Sequence, residues 1–180
     1  MLIICPKSLK LTWRDEIKRW LPDSKWDINL IDTGKGIICR NKRIHIVSYE
    51  IAVKIVDQML PAGIGVCICD ESHYLKTPKS QRSLSLVPVL TRIKRLMLLS
   101  GTPMLARPIE LFNSLKMLRP DIFNDFNLYV NRYCDPKETK YGPDYSGAAN
   151  CKELHYLLED KVMIRRLKKN VLSELPPKLR

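Results

Sequence analysis

Two stretches of this 180-residue chain carry side chains that could do chemistry together. In "VCICDESHYLK" (66–76) an apolar run ends on Asp70 and Glu71, with Ser72 and His73 directly behind. A carboxylate at a rigid strand end can hold Mg²⁺, often through its water shell, and a neighbouring carboxylate can orient a water and take its proton. Nucleotide hydrolysis needs both, which would make Asp70 the metal residue and Glu71 the water residue. Taken alone, the tetrapeptide fits a polar turn after a buried strand better than an active site. In "LMLLSGTP" (96–103) a second apolar run delivers Ser100, Gly101 and Thr102 into a turn. Small hydroxyl residues around a glycine can hydrogen-bond to partners on both sides, although an ordinary strand exit has the same composition. A third stretch, "IICPKSLKLTW" (3–13), places Lys7 and Ser8 at a helix start, where free N–H groups suit a phosphate. A plain N-cap explains that stretch equally well.

Alternating elements must position these residues. Apolar runs at 2–5, 27–31, 44–48, 66–70 and 96–100 read as strands. The last two are apolar on both faces, as strands inside a parallel sheet are. Helical spacing joins Leu9, Trp13, Ile17, Trp20 and Leu21 behind a cap at Ser8, with Pro22 as the stop. That spacing already accounts for Trp13 and Trp20 as structural. A second helix carries Ile51, Ile55, Val56, Met59 and Leu60, and a third spans 80–90 with a kink expected at Pro88. Strands alternating with helices predict an α/β fold with a doubly wound parallel sheet. Chemistry in such sheets gathers where strands end, which is where Asp70 and Ser100 fall.

Beyond Pro103 the pattern is helical. One helix opens at Pro108 with Ile109, Phe112 and Leu115, and another carries Ile122, Phe126, Tyr129, Val130 and Tyr133. Residues 134–150 read as an exposed loop, followed by an Asn150/Glu153 capping box before Leu154, Leu157, Leu158 and Val162. "LPPK" (175–178) ends that region. The expected division is an α/β unit over 1–118 and a helical extension over 119–180.

Lysine and arginine number 31 against 19 acids, a net charge of +12 and a pI near 9.5. Such an excess favours a polyanionic partner, nucleic acid first, although an inert basic surface has the same composition. Basic residues concentrate at Arg92, Lys94 and Arg95 and again across 161–180. Six cysteines without C-x-x-C spacing and three scattered histidines indicate neither a disulfide framework nor a zinc site. No apolar run approaches membrane-spanning length and the first residues lack a signal-peptide layout, so a soluble intracellular protein without a membrane partner is expected.

"PKSLKLTWRDEIKRW", "IVSYE", "DESHYLK", "LLSGTPMLARPIELF" and "VMIRRLKKNVLSELPPK" occur in this order. Together they resemble the first motor lobe of the Swi/Snf-type, superfamily-two DNA translocases over nearly the whole chain. Arg107-Pro108 and "RYCD…YGPDYSGAANCKEL" are similar to the annealing-helicase branch of that family, to its HepA-related and its zinc-finger RAN-binding-domain-containing members alike. The resemblance implies a RecA-like lobe with ATP and Mg²⁺ as cofactors. It also implies forked or junction DNA and a second motor lobe as partners, and a nuclear role in rewinding DNA during fork processing and repair. Carried over by position, Asp70 takes Mg²⁺ through water, Glu71 activates the attacking water, and His73 links the nucleotide pocket to the lobe interface. Ser100, Gly101 and Thr102 couple hydrolysis to DNA movement. Pro6, Lys7, Ser8, Ser48 and Tyr49 match motifs that track a DNA backbone, and Arg165 and Arg166 match a basic pair after the helical extension. Lys168 and Lys169 read as solvated charge.

One family feature is missing from these residues. No G-x-x-x-x-G-K-[ST] loop occurs, and Gly34-Lys35-Gly36 has the wrong spacing to replace it. In the family that loop precedes the stretch that starts at Leu2, so Met1 reads as a truncated start. Residues 1–180 alone are therefore expected to turn over no ATP and to leave apolar sheet faces exposed. The alternative is a basic DNA-binding module that has lost nucleotide chemistry, and the intact Asp70-Glu71 pair speaks against it.

Overall fold

The computed structural model describes residues 1–22, 27–101 and 107–166. Five strands form one sheet: β1 (Leu2–Cys5), β2 (Ile28–Ile31), β3 (Ile44–Ser48), β4 (Val66–Cys69) and β5 (Arg95–Leu98). Their order is β2-β3-β1-β4-β5 and every neighbouring pair is parallel. All carboxyl ends therefore lie on one edge. The register pairs Cys5 with Ser48, Ile4 with Cys69 and Cys69 with Leu98, so the residues that follow these strands leave the sheet side by side.

Helices cover both faces, which is why β1 and β3 are apolar at almost every position. A 3₁₀ turn over Lys7–Leu9 leads into α1 (Lys10–Trp20), whose Ile17 and Trp13 pack on Ile3, Cys5, Ile44 and Ile46. The opposite face buries Leu2, Ile4, Val47 and Cys69 under α2 (Tyr49–Lys54), α3 (Val56–Met59) and α4 (Gln81–Leu90). Beyond the sheet come α5 (Phe112–Leu118), α6 (Phe126–Tyr133) and α7 (Cys151–Lys161), with Leu111, Phe112, Phe123, Tyr129 and Leu158 sharing a second core. No helix among the described residues is long and apolar enough to cross a membrane.

Several expectations need correction. The apolar stripe of α1 does not stay buried to its end: Trp20 is 71% and Leu21 40% exposed, because no described residue covers the last turn. Ser8 makes no side-chain cap there, since the 3₁₀ turn already carries the chain into the helix. The second predicted helix is two short ones, interrupted at Ile55. The third runs from a Ser80 cap, whose hydroxyl accepts the Ser83 N–H, through Pro88 to Leu90.

Strand β5 is not enclosed. It is an edge of the described sheet, with Met97 47% and the following Leu99 42% exposed. Exposed apolar sheet surface is the expectation drawn from the missing phosphate-binding loop, and Met97 and Leu99 supply it among the described residues. Ile122 precedes α6 rather than lying in it, because Asp125 caps that helix on the Leu128 N–H.

The loop expected at 134–150 holds an antiparallel hairpin, β6 (Lys137–Thr139) and β7 (Gly142–Asp144). Gly142 supplies the positive φ its turn requires (104°), and the Thr139 hydroxyl donates to the Gly142 carbonyl. Asn150 and Glu153 form no capping box. The Asn150 amide donates instead to the Arg132 carbonyl, and Glu153 takes a two-pronged pair from Arg132 plus the Tyr133 hydroxyl. These bonds clamp α7 onto α6, and they hold the Glu153 carboxyl below its ordinary range.

Candidate active site and nucleic-acid groove

Asp70 sits one residue past β4, and its N–H continues the ladder onto the Ile4 carbonyl at 2.8 Å. Its carboxylate is held twice. Oδ1 accepts the Glu71 N–H at 3.0 Å, and Oδ2 accepts the Trp13 indole N–H at 2.8 Å. Its carbonyl accepts the Tyr49 hydroxyl, also at 2.8 Å. Burial pushes that phenol far above its ordinary range, so it remains a donor at any physiological pH. On the other side of β1, burial and the nearby Asp70 charge push the Cys5 thiol up to about 11, so it stays an inert apolar filler.

Glu71 follows in a left-handed conformation, φ 50° and ψ 50°. A non-glycine residue there costs on the order of 1–3 kcal/mol, strain that folded proteins retain chiefly at working sites. The turn throws the chain into a 3₁₀ segment, Ser72–Leu75, and brings His73 Nδ1 to 3.1 Å from Glu71 Oε2. That is ion-pair distance for a protonated imidazole, but the geometry makes no hydrogen bond. Below the turn, the Leu75 carbonyl accepts both the Ser83 hydroxyl and the buried Asn113 amide.

The second motif is tied to the first through the backbone. The Leu99 N–H donates to the Cys69 carbonyl and the Ser72 N–H donates back to the Leu99 carbonyl, at 2.9 and 2.8 Å. Ser100 and Gly101 follow, and with Asp70, Ser72 and His73 they line one cavity of about 700 Å³. Leu158, Val162 and Met163 supply its far wall, and Arg165 and Arg166 its rim. Thr102, Lys168 and Lys169 lie outside the described residues.

A separate groove, about 830 Å³, runs along Pro6, Lys7, Ser8, Leu11, Ser48 and Tyr74, with the carboxylates of Asp32 and Glu50 also in its lining. Lys7 and Ser8 are exposed, and Ser48, although buried, lines it too. Tyr49, the other residue expected to track nucleic acid, is fully buried and does not line the groove. Its ring instead stacks on Tyr74 at 5.2 Å and 6°, with the Arg82 guanidinium 4.9 Å from the Tyr74 ring centre. Residues from the first and third motifs thus meet at Asp70, while the groove residues lie behind it.

Trp13 and Asn113 contribute contacts that their spacing concealed. Both sit at regular helical positions, and only the side-chain polar atoms, an indole N–H and an amide, hinted at a partner.

The site fits a magnesium ion of one kind. Each Asp70 carboxylate oxygen accepts one hydrogen bond and keeps a further acceptor direction, and Asp70 lines the cavity. Among the described residues no group of three or more His, Cys, Asp or Glu side chains could cage an ion. One carboxylate suits an ion that keeps its waters and draws other ligands from phosphates, as Mg²⁺ does at nucleotide sites.

The SNF2-related domain family matches residues 1–180. The chain belongs to this family. A subfamily A-like protein 1 of the SWI/SNF-related regulators of chromatin, from Xenopus laevis, is 43% identical over the whole chain, which covers 19% of that relative. The DNA annealing helicase and endonuclease ZRANB3 of Bos taurus is 40% identical, again over the whole chain and 18% of the relative. The chain thus spans about a fifth of the length of the curated relatives it matches. The fold is that of a solved SWI2/SNF2 ATPase core from Sulfolobus solfataricus in complex with dsDNA, with a TM-score of 0.71 over 97% of this chain and 36% of that one, at 18% identity. The expected RecA-like class of fold and the family resemblance are both upheld.

Proposed function

We propose that this chain is part of the first motor lobe of an ATP-driven DNA translocase that reanneals and remodels DNA, acting with a second motor lobe on forked or junction DNA in the nucleus. The observation that carries this reading is the pairing at the end of β4. Asp70 lines the cavity that His73 and Ser100 also line, and the strained Glu71 follows it directly. The groove at Lys7 and Ser8 adjoins them on the same sheet edge.

In this reading Asp70 binds Mg²⁺ through water, and the ion supplies charge stabilisation for phosphoryl transfer. Glu71 orients the attacking water and takes its proton, while His73 steadies the Glu71 carboxylate. Ser100, Gly101 and Thr102 sense that event across the Ser72–Leu99 backbone link. Pro6, Lys7, Ser8 and Ser48 hold DNA phosphates, and Arg165 and Arg166 add positive charge at the cavity rim. The names of two relatives, a SWI/SNF-related regulator of chromatin and a DNA annealing helicase, support the reading of the chain as part of a DNA motor.

The test is Glu71→Gln in the full-length protein. DNA-stimulated ATP turnover is expected to fall by about 10²–10⁴-fold with DNA affinity retained. Wild-type protein that binds DNA but turns over no ATP would instead identify a DNA-binding module.

A further inference from the structure

We infer that Trp13 and Tyr49 are positioning residues that carry the state of the nucleic-acid groove to the metal-binding carboxylate of Asp70. The inference rests on the proposed function and deepens it. Asp70 is gripped by two aromatic donors, Trp13 from one face of the sheet and Tyr49 from the other. The Trp13 indole holds its carboxylate and the Tyr49 hydroxyl holds its carbonyl, both at 2.8 Å.

Each donor belongs to an element whose neighbouring residues line the groove. Trp13 lies two residues beyond Leu11 on α1, and the 3₁₀ turn that leads into this helix carries Lys7 and Ser8. Tyr49 follows Ser48 directly, and its ring lies flat against Tyr74, which is 38% exposed and lines the same groove. A polyanion seated on Lys7, Ser8 and Ser48 presses on both elements at once. Neither ring needs to touch it.

The geometry distinguishes the two grips. Tyr49 fixes the backbone from which the carboxylate springs, whereas Trp13 fixes the carboxylate's rotation, and with it the lone pairs left for an aqueous ion. Hydrogen-bonded partners of a metal-binding group typically change metal affinity by about 10–100-fold when removed. A shift of the indole is therefore enough to raise or lower ion occupancy without moving the strand.

Full-length protein labelled with 5-fluorotryptophan tests this, the Trp13 resonance being the one absent from Trp13→Phe. A DNA duplex added without metal or nucleotide is expected to shift that resonance. Mn²⁺ added without DNA is expected to broaden it, an effect that Asp70→Asn removes. Trp13→Phe and Tyr49→Phe, which keep their rings, should each raise the half-saturating Mg²⁺ for ATP turnover by about 10-fold at unchanged DNA affinity. A Trp13 resonance that DNA leaves in place, or Phe variants with the wild-type Mg²⁺ dependence, would overturn the inference. Absence of ATP turnover in the wild type would sink the motor reading instead, and the fluorine measurements would still decide whether groove and carboxylate communicate.

Discussion

The sheet and the helical extension are held together by different side chains, and the difference tracks their work. Around β1, β3 and β4 the core is aliphatic and sulfur-bearing, built of short parallel strands that are buried on both faces. Around α6 and α7 it is aromatic, with Phe112, Phe126, Tyr129 and Tyr145 meeting edge-on or tilted at 5.2 to 5.4 Å. Narrow aliphatic residues let strands stack at close spacing and deliver several chain ends to one edge. Broad rings fill the uneven space between short helices and need partners for their polar atoms, as where the buried Tyr129 hydroxyl donates to the Pro108 carbonyl. Asp70, Glu71 and Ser100 belong to the first kind of packing. The extension contributes the far wall and rim of their cavity.

Helix α5 serves both cores, with Met117 in the sheet core and Phe112 and Leu115 in the aromatic one. The sharpest way to break the comparison is therefore Phe112→Ala. Loss of that ring should destabilise the fold by about 3–5 kcal/mol, read as a lowered denaturant midpoint. If the two cores are energetically separate, aromatic near-ultraviolet signals from the extension will be lost at lower denaturant than the far-ultraviolet signal of the sheet. A single coincident transition would show that α5 fuses them.

Asn113 probes the same helix from the side that supports chemistry. Its buried amide donates to the Leu75 carbonyl at 2.7 Å, under the turn that holds His73. Asn113→Ala should cost about 1–3 kcal/mol and loosen the Glu71 turn, so ATP turnover should fall with stability. A stability loss with turnover intact would confine this contact to scaffolding.

The smallest effect belongs to the sheet alone. His45 is buried on β3, and desolvation holds its imidazole below the usual 6.5. The unfolded chain therefore takes up the proton first. The contribution to stability is complete above pH 6.5 and is lost as pH falls through that value toward the lower folded one. Urea midpoints measured at about pH 7.5 and 5.5 should differ less in His45→Gln than in the wild type. The extension has no buried histidine among its described residues, so its signals should not share that slope.

Much of this was readable beforehand, for reasons that differ by element. Strands of a parallel sheet are short, largely apolar runs, so all five stood out, the open-edged β5 included, as did the carboxyl-end placement of Asp70 and Ser100. The 3.6-residue period marked α1 but could not say where its cover ends, and Trp20 and Leu21 lie in the open. Asn150 and Glu153 had the spacing of a cap, yet both reach across to α6, because a local pattern cannot register a better partner in a neighbouring helix. The hairpin at 137–144 lacked apolar alternation, being exposed on both sides, and so left no period to detect.

By itself, the sequence determined which residues stand at the ends of which strands, since burial enforces the apolar runs and polar residues mark their exits. Tertiary structure alone decided what surrounds them. Trp13 and Tyr49 reach Asp70 across 57 and 21 positions. Contacts over such distances depend on strand order and on the side of the sheet each helix takes, neither of which is written in local spacing. Hence an indole that periodicity accounts for as packing is also the group that orients the carboxylate.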